Sequence, residues 1–268
     1  MWLGRLFQAQ AFMGLGRYND AIRLLDAGMV AGGGGVIPPY AYQFQLDSLF
    51  LSGRYKECLA MANNLSAEVR SDRPELAITA AWDALYSGDP SVVSHWLAPG
   101  SFSRYGWEPD LFEGIESFLK GDFAAAETQF RGMLVSSGRH ISDPGRWLVQ
   151  ALISEGKLKE ARQVLDEEVS AFPADHLDGG ETELWLRWNE GSRAALVVSR
   201  FDAILAKKRA EAPTTVQTRA LLPITLARTA AVHRAAGQSA EAARLKAEAL
   251  RLAPSSWKPL IEDVAASR

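Results

Sequence analysis

Apolar side chains recur along the chain at the three- and four-residue spacing of amphipathic helices, and no stretch sustains the two-residue alternation of a half-buried strand. Each apolar pattern is short and stops at a glycine, where the next begins. Gly16, Gly53, Gly88, Gly121, Gly156, Gly191 and Gly237 punctuate the sequence at intervals of 37, 35, 33, 35, 35 and 46 residues. The pattern predicts an all-α chain of about fourteen helices in a regular series of helix-turn-helix units.

The segments that follow the glycines share a pattern. Gly16-Arg17-Tyr18-Asn19-Asp20-Ala21, Gly53-Arg54-Tyr55-Lys56-Glu57-Cys58, Gly121-Asp122-Phe123-Ala124-Ala125-Ala126 and Gly156-Lys157-Leu158-Lys159-Glu160-Ala161 each set a large side chain two residues after the turn and a small one five residues after it. Seven residues before a turn glycine stand Ala9, Ala81, Gly114 and Ala230, and Ala242 again follows Gly237 by five. Small residues are what two helices need where they cross. Pro173 and Pro254 each fall 17 residues beyond a turn glycine, and proline stops a helix because it lacks the amide N–H and crowds the preceding turn. This pattern resembles the tetratricopeptide (TPR) repeat, whose period is about 34 residues. The resemblance spans nearly the whole chain. It implies a right-handed α-solenoid of about seven TPR-like repeats forming a single domain over residues 1–268, with the first helix of each repeat lining a concave groove that holds a peptide or helix.

The copies differ in quality. Gly32 to Gly35 with Val36-Ile37-Pro38-Pro39 predicts a loop before the second repeat, and Pro90 replaces the aromatic expected after Gly88, as the first turn of a helix allows. The 46-residue step after Gly191 predicts a long helix over about 192–212. Ser255-Ser256-Trp257-Lys258-Pro259-Leu260 predicts a C-terminal capping helix over about 255–266 with a serine N-cap. At the other end Trp2, Leu3, Leu6 and Phe7 predict an uncapped apolar face through which the chain associates.

Composition changes this picture little. The 268 residues are 47% hydrophobic and 23% charged with net charge −3, which argues against nucleic-acid binding driven by phosphate neutralisation. No apolar run reaches the roughly 18 residues of a membrane span, and the N-terminal residues do not read as a signal peptide, so the expected location is cytoplasmic. Charge is uneven: from Leu205 onward 11 Lys and Arg stand against 5 Asp and Glu, a balance read as ordinary solvated helix faces. The lone cysteine, Cys58, stands where other repeats have alanine and is expected to be a small buried residue.

No constellation for catalysis, cofactor or metal emerges. The chain lacks a nucleophile elbow, HExxH and a phosphate loop ending in Gly-Lys-Ser/Thr. His95, His140, His176 and His233 lie in different repeats without the spacing of helix-borne ligands, and Asp175-His176-Leu177-Asp178 reads as a turn. The expected function is therefore non-enzymatic binding of a protein or peptide. The alternative is a sensory or regulatory module attached to a DNA-binding or catalytic domain. Counting nine and six residues back from the turn glycines places Phe44, Trp82, Phe112, Trp147, Gln150 and Trp185 on the groove side as partner-binding residues, with the tryptophans partly exposed. Aromatics at this spacing also suit a helix core. The acidic-tail binding of some TPR proteins needs paired basic residues where this chain has Leu6, Gln10 and Phe44, so capture of a chaperone carboxylate is not expected.

Overall fold

The computed structural model describes residues 2–31, 37–66, 69, 75–87, 108–136, 143–171 and 180–267. Among these there are fourteen α-helices and no strand. They are α1 (Trp2–Gly14), α2 (Tyr18–Ala31), α3 (Pro39–Leu51), α4 (Tyr55–Asn63), α5 (Glu75–Ser87), α6 (Glu108–Leu119) and α7 (Phe123–Ser136). The second half holds α8 (Asp143–Ser154), α9 (Leu158–Ala171), α10 (Glu181–Asn189), α11 (Ala194–Glu211), α12 (Val216–Ala235), α13 (Ser239–Leu252) and α14 (Lys258–Ala266). The turn at Gly88, the Gly32–Gly35 loop, Pro173, His95, His140 and the Asp175–Asp178 segment lie outside the described residues.

Six of the seven punctuating glycines take a positive φ, from 69° at Gly16 to 110° at Gly191. At each the same pair of bonds closes the helix. Gly156 N–H donates to the Ile153 carbonyl and Lys157 N–H to the Leu152 carbonyl, at 3.0 and 2.9 Å, and the other five turns repeat the arrangement. This is the Schellman closure, in which a left-handed residue turns two otherwise orphaned carbonyls back onto the chain. Glycine suits it because a Cβ is strained at that φ. Space does not select it: nothing lies within 4 Å of the position a Cβ would take at Gly156.

Crowding falls instead at helix crossings. A Cβ on Gly114 would overlap the ring of Phe130, and one on Gly145 would overlap the carboxyl of Glu168. Ala9, Ala21, Cys58, Ala81, Ala126 and Ala161 are fully buried, as their small size at the crossing points predicts. The long helix expected over 192–212 is α11. The capping helix forms, but without a serine cap. Pro254 precedes a 3₁₀ turn over Ser255–Trp257, α14 starts at Lys258 with no side-chain cap, and Trp257 is buried beneath it.

The chain divides into two compact units, one of Met1–Glu108 with Lys208–Ala220 and the other of Pro109–Lys207 with Leu221–Arg268. In the first, α1 packs on α2 and α3, α2 on α3, α3 on α4 and α5, and α4 on α5. The rings of Phe50, Tyr55 and Tyr86 meet at 5.0–5.2 Å between centroids in its core. The returning segment is held by main-chain carbonyls: Tyr18 Oη donates to Pro213 O (3.1 Å) and Tyr86 Oη to Ala220 O (2.7 Å).

The first unit also buries charge-bearing groups. Asp47 Oδ1 accepts from Gln43 Nε2 (2.7 Å) and Thr79 Oγ1 (2.9 Å), yet burial pushes its carboxyl up to about 6. Asp83 is fully buried, and neither of its oxygens finds a hydrogen bond of ordinary geometry. Burial first, and the charge of Asp47 second, hold it well above the usual carboxylate range. Cys58 is buried beside it, its thiol donating to Leu46 O at 3.4 Å and also pushed up by burial.

In the second unit α8 packs on α7, α9 and α10, and α9 on α10. Trp147 lies between Phe118 (5.4 Å) and Phe130 (6.2 Å), and Trp185 meets Phe201 edge-on at 6.3 Å. A buried ion pair joins Arg228 of α12 to Glu181 of α10 at 2.9 Å, and Arg228 also donates to Gln150 Oε1 of α8 at 2.7 Å.

Candidate functional site

Helical periodicity turns the residues nine and thirteen positions before a turn glycine to one side of the first helix of each hairpin. Packing then decides which of these stay open. At the position nine before the glycine, Thr79, Phe112, Trp147 and Arg228 are buried, Phe44 and Thr182 are half-buried, and Phe7 is 63% exposed. Thirteen before the glycine, Leu3 is 67% and Tyr40 54% exposed. Since α1 packs beside α3, Leu3, Phe7, Tyr40 and the half-buried Phe44 hold equivalent places on two adjacent helices of the first unit. They form its candidate contact surface.

This relocates the site expected from sequence. Trp82, Trp147 and Trp185 are 1%, 5% and 4% exposed, and Phe112 is buried with them. The expectation that these aromatics stand partly open as anchors is corrected: they are core. The reason is visible at two of them. Trp147 fills the space between two phenylalanines, and Trp185 is covered by Phe201 on one side and the Arg228 guanidinium, 5.3 Å from its ring, on the other. Gln150, half-buried, spends its carbonyl on Arg228. Of the six residues only Phe44 joins the open surface.

The part of this surface on α1 is apolar, while on α3 the half-buried Asp47 stands three residues after Phe44. Arg5, the one charged residue of α1, donates to the Leu24 carbonyl at 3.2 Å. Trp2 is half-buried with its ring against Gly28 of α2, and Leu6 is half-buried. The apolar face expected from Trp2, Leu3, Leu6 and Phe7 therefore splits, with Trp2 and Leu6 turned partly inward and Leu3 and Phe7 outward. Tyr40 escaped the sequence reading, although its offset from Gly53 equals that of Leu3 from Gly16.

The described histidine is structural. His233 is buried on α12, with Nε2 2.8 Å from Asp202 Oδ1 of α11 and Nδ1 against Gln238 Oε1 at the start of α13, so both ring nitrogens brace helix contacts. Among the described residues no group of three or more His, Cys, Asp or Glu is placed to hold a metal ion, and no helix is long and apolar enough to cross a membrane. No protein-family model matches the chain, and no curated protein matches it.

Proposed function

We propose that this chain is a non-enzymatic, cytoplasmic protein-interaction module, a right-handed solenoid of TPR-like hairpins that receives a helix or peptide across the open face of its first two hairpins. The observation that carries the reading is the contrast along one register. The position nine before the turn glycine, buried at Thr79, Phe112, Trp147 and Arg228, is left open at Phe7, and Leu3 and Tyr40 are exposed one turn earlier on their helices. A contiguous apolar patch is costly to leave in water and on soluble chains commonly marks an interface. Aromatics such as Phe7 and Tyr40 add large contact area for little rotamer entropy. The uncharged stripe of α1 favours an apolar helical segment over a charged tail.

The test is co-purification with the tagged chain, read by mass spectrometry, in parallel with Phe7→Asp/Tyr40→Asp. Both side chains are more than half exposed, so the variant is expected to keep its helicity while losing the co-purifying proteins. An unchanged partner set would remove the face from the reading.

A further inference from the structure

Helix α1 leaves open a stripe of Leu3, Gly4, Phe7, Gln10, Ala11 and Gly14 that runs on into Leu15, which is itself 71% exposed. The opposite side of the helix buries Ala9 and Met13 against its own chain. Two of the open residues are glycines. Neither Gly4 nor Gly14 has a positive φ, and nothing lies within 4 Å of the place a Cβ would occupy. Glycine in a helix costs roughly 0.5–1 kcal/mol against alanine. What it provides in return is close approach of another backbone, because the distance between packed helices is set by the side chains at their contact.

The stripe also says which backbone. It carries no charge, since Arg5 is turned inward to the Leu24 carbonyl, so it offers nothing to complement an acidic or a basic segment and repels no copy of itself. It is self-complementary about Ala9. In an antiparallel pair with its two-fold axis there, Gly4 faces Gly14 of the second copy, Leu3 faces Leu15 and Phe7 faces Ala11. Backbones approach at the glycines, and each large ring rests on a methyl. A two-fold interface needs this property, the same patch fitting itself.

We propose that two copies of this chain pair antiparallel through α1, with Phe7 of each packed over Ala11 of the other. The proposal rests on the reading of this face as a protein-binding surface and names its occupant.

Light scattering and sedimentation of the full chain, from about 1 to about 100 μM, are expected to show a dimer, and Phe7→Glu is expected to weaken it at least tenfold, or about 1.4 kcal/mol, with helicity unchanged. Gly14→Ala separates pairing from folding: it is expected to raise the melting temperature of the dilute protein while weakening the dimer, opposite effects that a merely structural role would not give. Under mild oxidation, a mixture of Gly4→Cys and Gly14→Cys proteins should form a disulfide-linked pair that neither forms alone, Cys58 being buried. A monomer at the highest concentration, a dimer indifferent to Phe7→Glu, or a self-linked Gly4→Cys protein would each overturn the pairing. Should the chain be monomeric and still lose a co-purifying protein on Phe7→Glu, the second copy is excluded and the binding reading stands. A monomer whose partners ignore Phe7 removes both.

Discussion

At the scale of the residue, the carboxyls of half-buried Asp47 and fully buried Asp83 contribute a pH dependence to the first unit. Both are pushed up by burial, Asp47 to about 6 and Asp83 well above its ordinary value. The side chains that act on them are the Cys58 thiol, Gln43 and Thr79, while the charge of Arg219 reaches the nearby Tyr55 and Tyr86 phenols. The folded chain therefore holds protons that the unfolded chain releases above about pH 4, and stability falls as pH rises. Asp47 contributes to that fall up to about pH 6 and Asp83 beyond it. Thermal melts of the wild type are expected to drop steadily from pH 4.5 to 8, and Asp83→Asn, which has no proton to lose, should flatten the upper part of the profile. A wild-type melting temperature that rises over this range would refute the assignment.

At the scale of the element, glycines fall into three physical classes that demand different outcomes. Gly156 is held by its φ of 76° in open space, so Gly156→Ala is expected to cost about 1 kcal/mol through the backbone alone. Gly114 has helical geometry under Phe130, so Gly114→Ala should cost more, roughly 1–3 kcal/mol by overpacking. Gly132, inside α7 with nothing near it, should gain about 0.5–1 kcal/mol on becoming alanine. Urea melts of the three variants check the order, and equal effects would show that neither φ nor space decides.

The glycine period made the turns legible in the sequence, because a left-handed closure selects one residue type at one offset. The groove aromatics were not legible in this way. Trp82, Trp147 and Trp185 carry the same helical spacing whether they face water or a neighbouring helix, and only their surroundings decide: Phe118 and Phe130 at Trp147, Phe201 and Arg228 at Trp185. Since they are core, Trp147→Ala is expected to cost about 3–5 kcal/mol of stability. A fully stable Trp147→Ala protein would contradict the burial.

At the scale of the whole molecule, the returning segment separates this chain from a simple array in which each repeat touches only its neighbours. Tyr18 and Tyr86 bond to Pro213 and Ala220 within the first unit. Nothing in the sequence announced those bonds, because a tyrosine hydroxyl that meets a main-chain carbonyl leaves no motif on the partner. A fragment ending at Glu108 lacks both acceptors and should melt below the corresponding transition of the full chain. Tyr86→Phe in the full chain should cost about 1 kcal/mol, a hydrogen bond's net worth.

The same segment orders events in time. Tyr18 waits for a carbonyl 195 residues further along, which a ribosome adding about 5–20 residues per second delivers some 10–40 s later. For that interval the nascent first unit lacks the segment that supplies the acceptor of Tyr18.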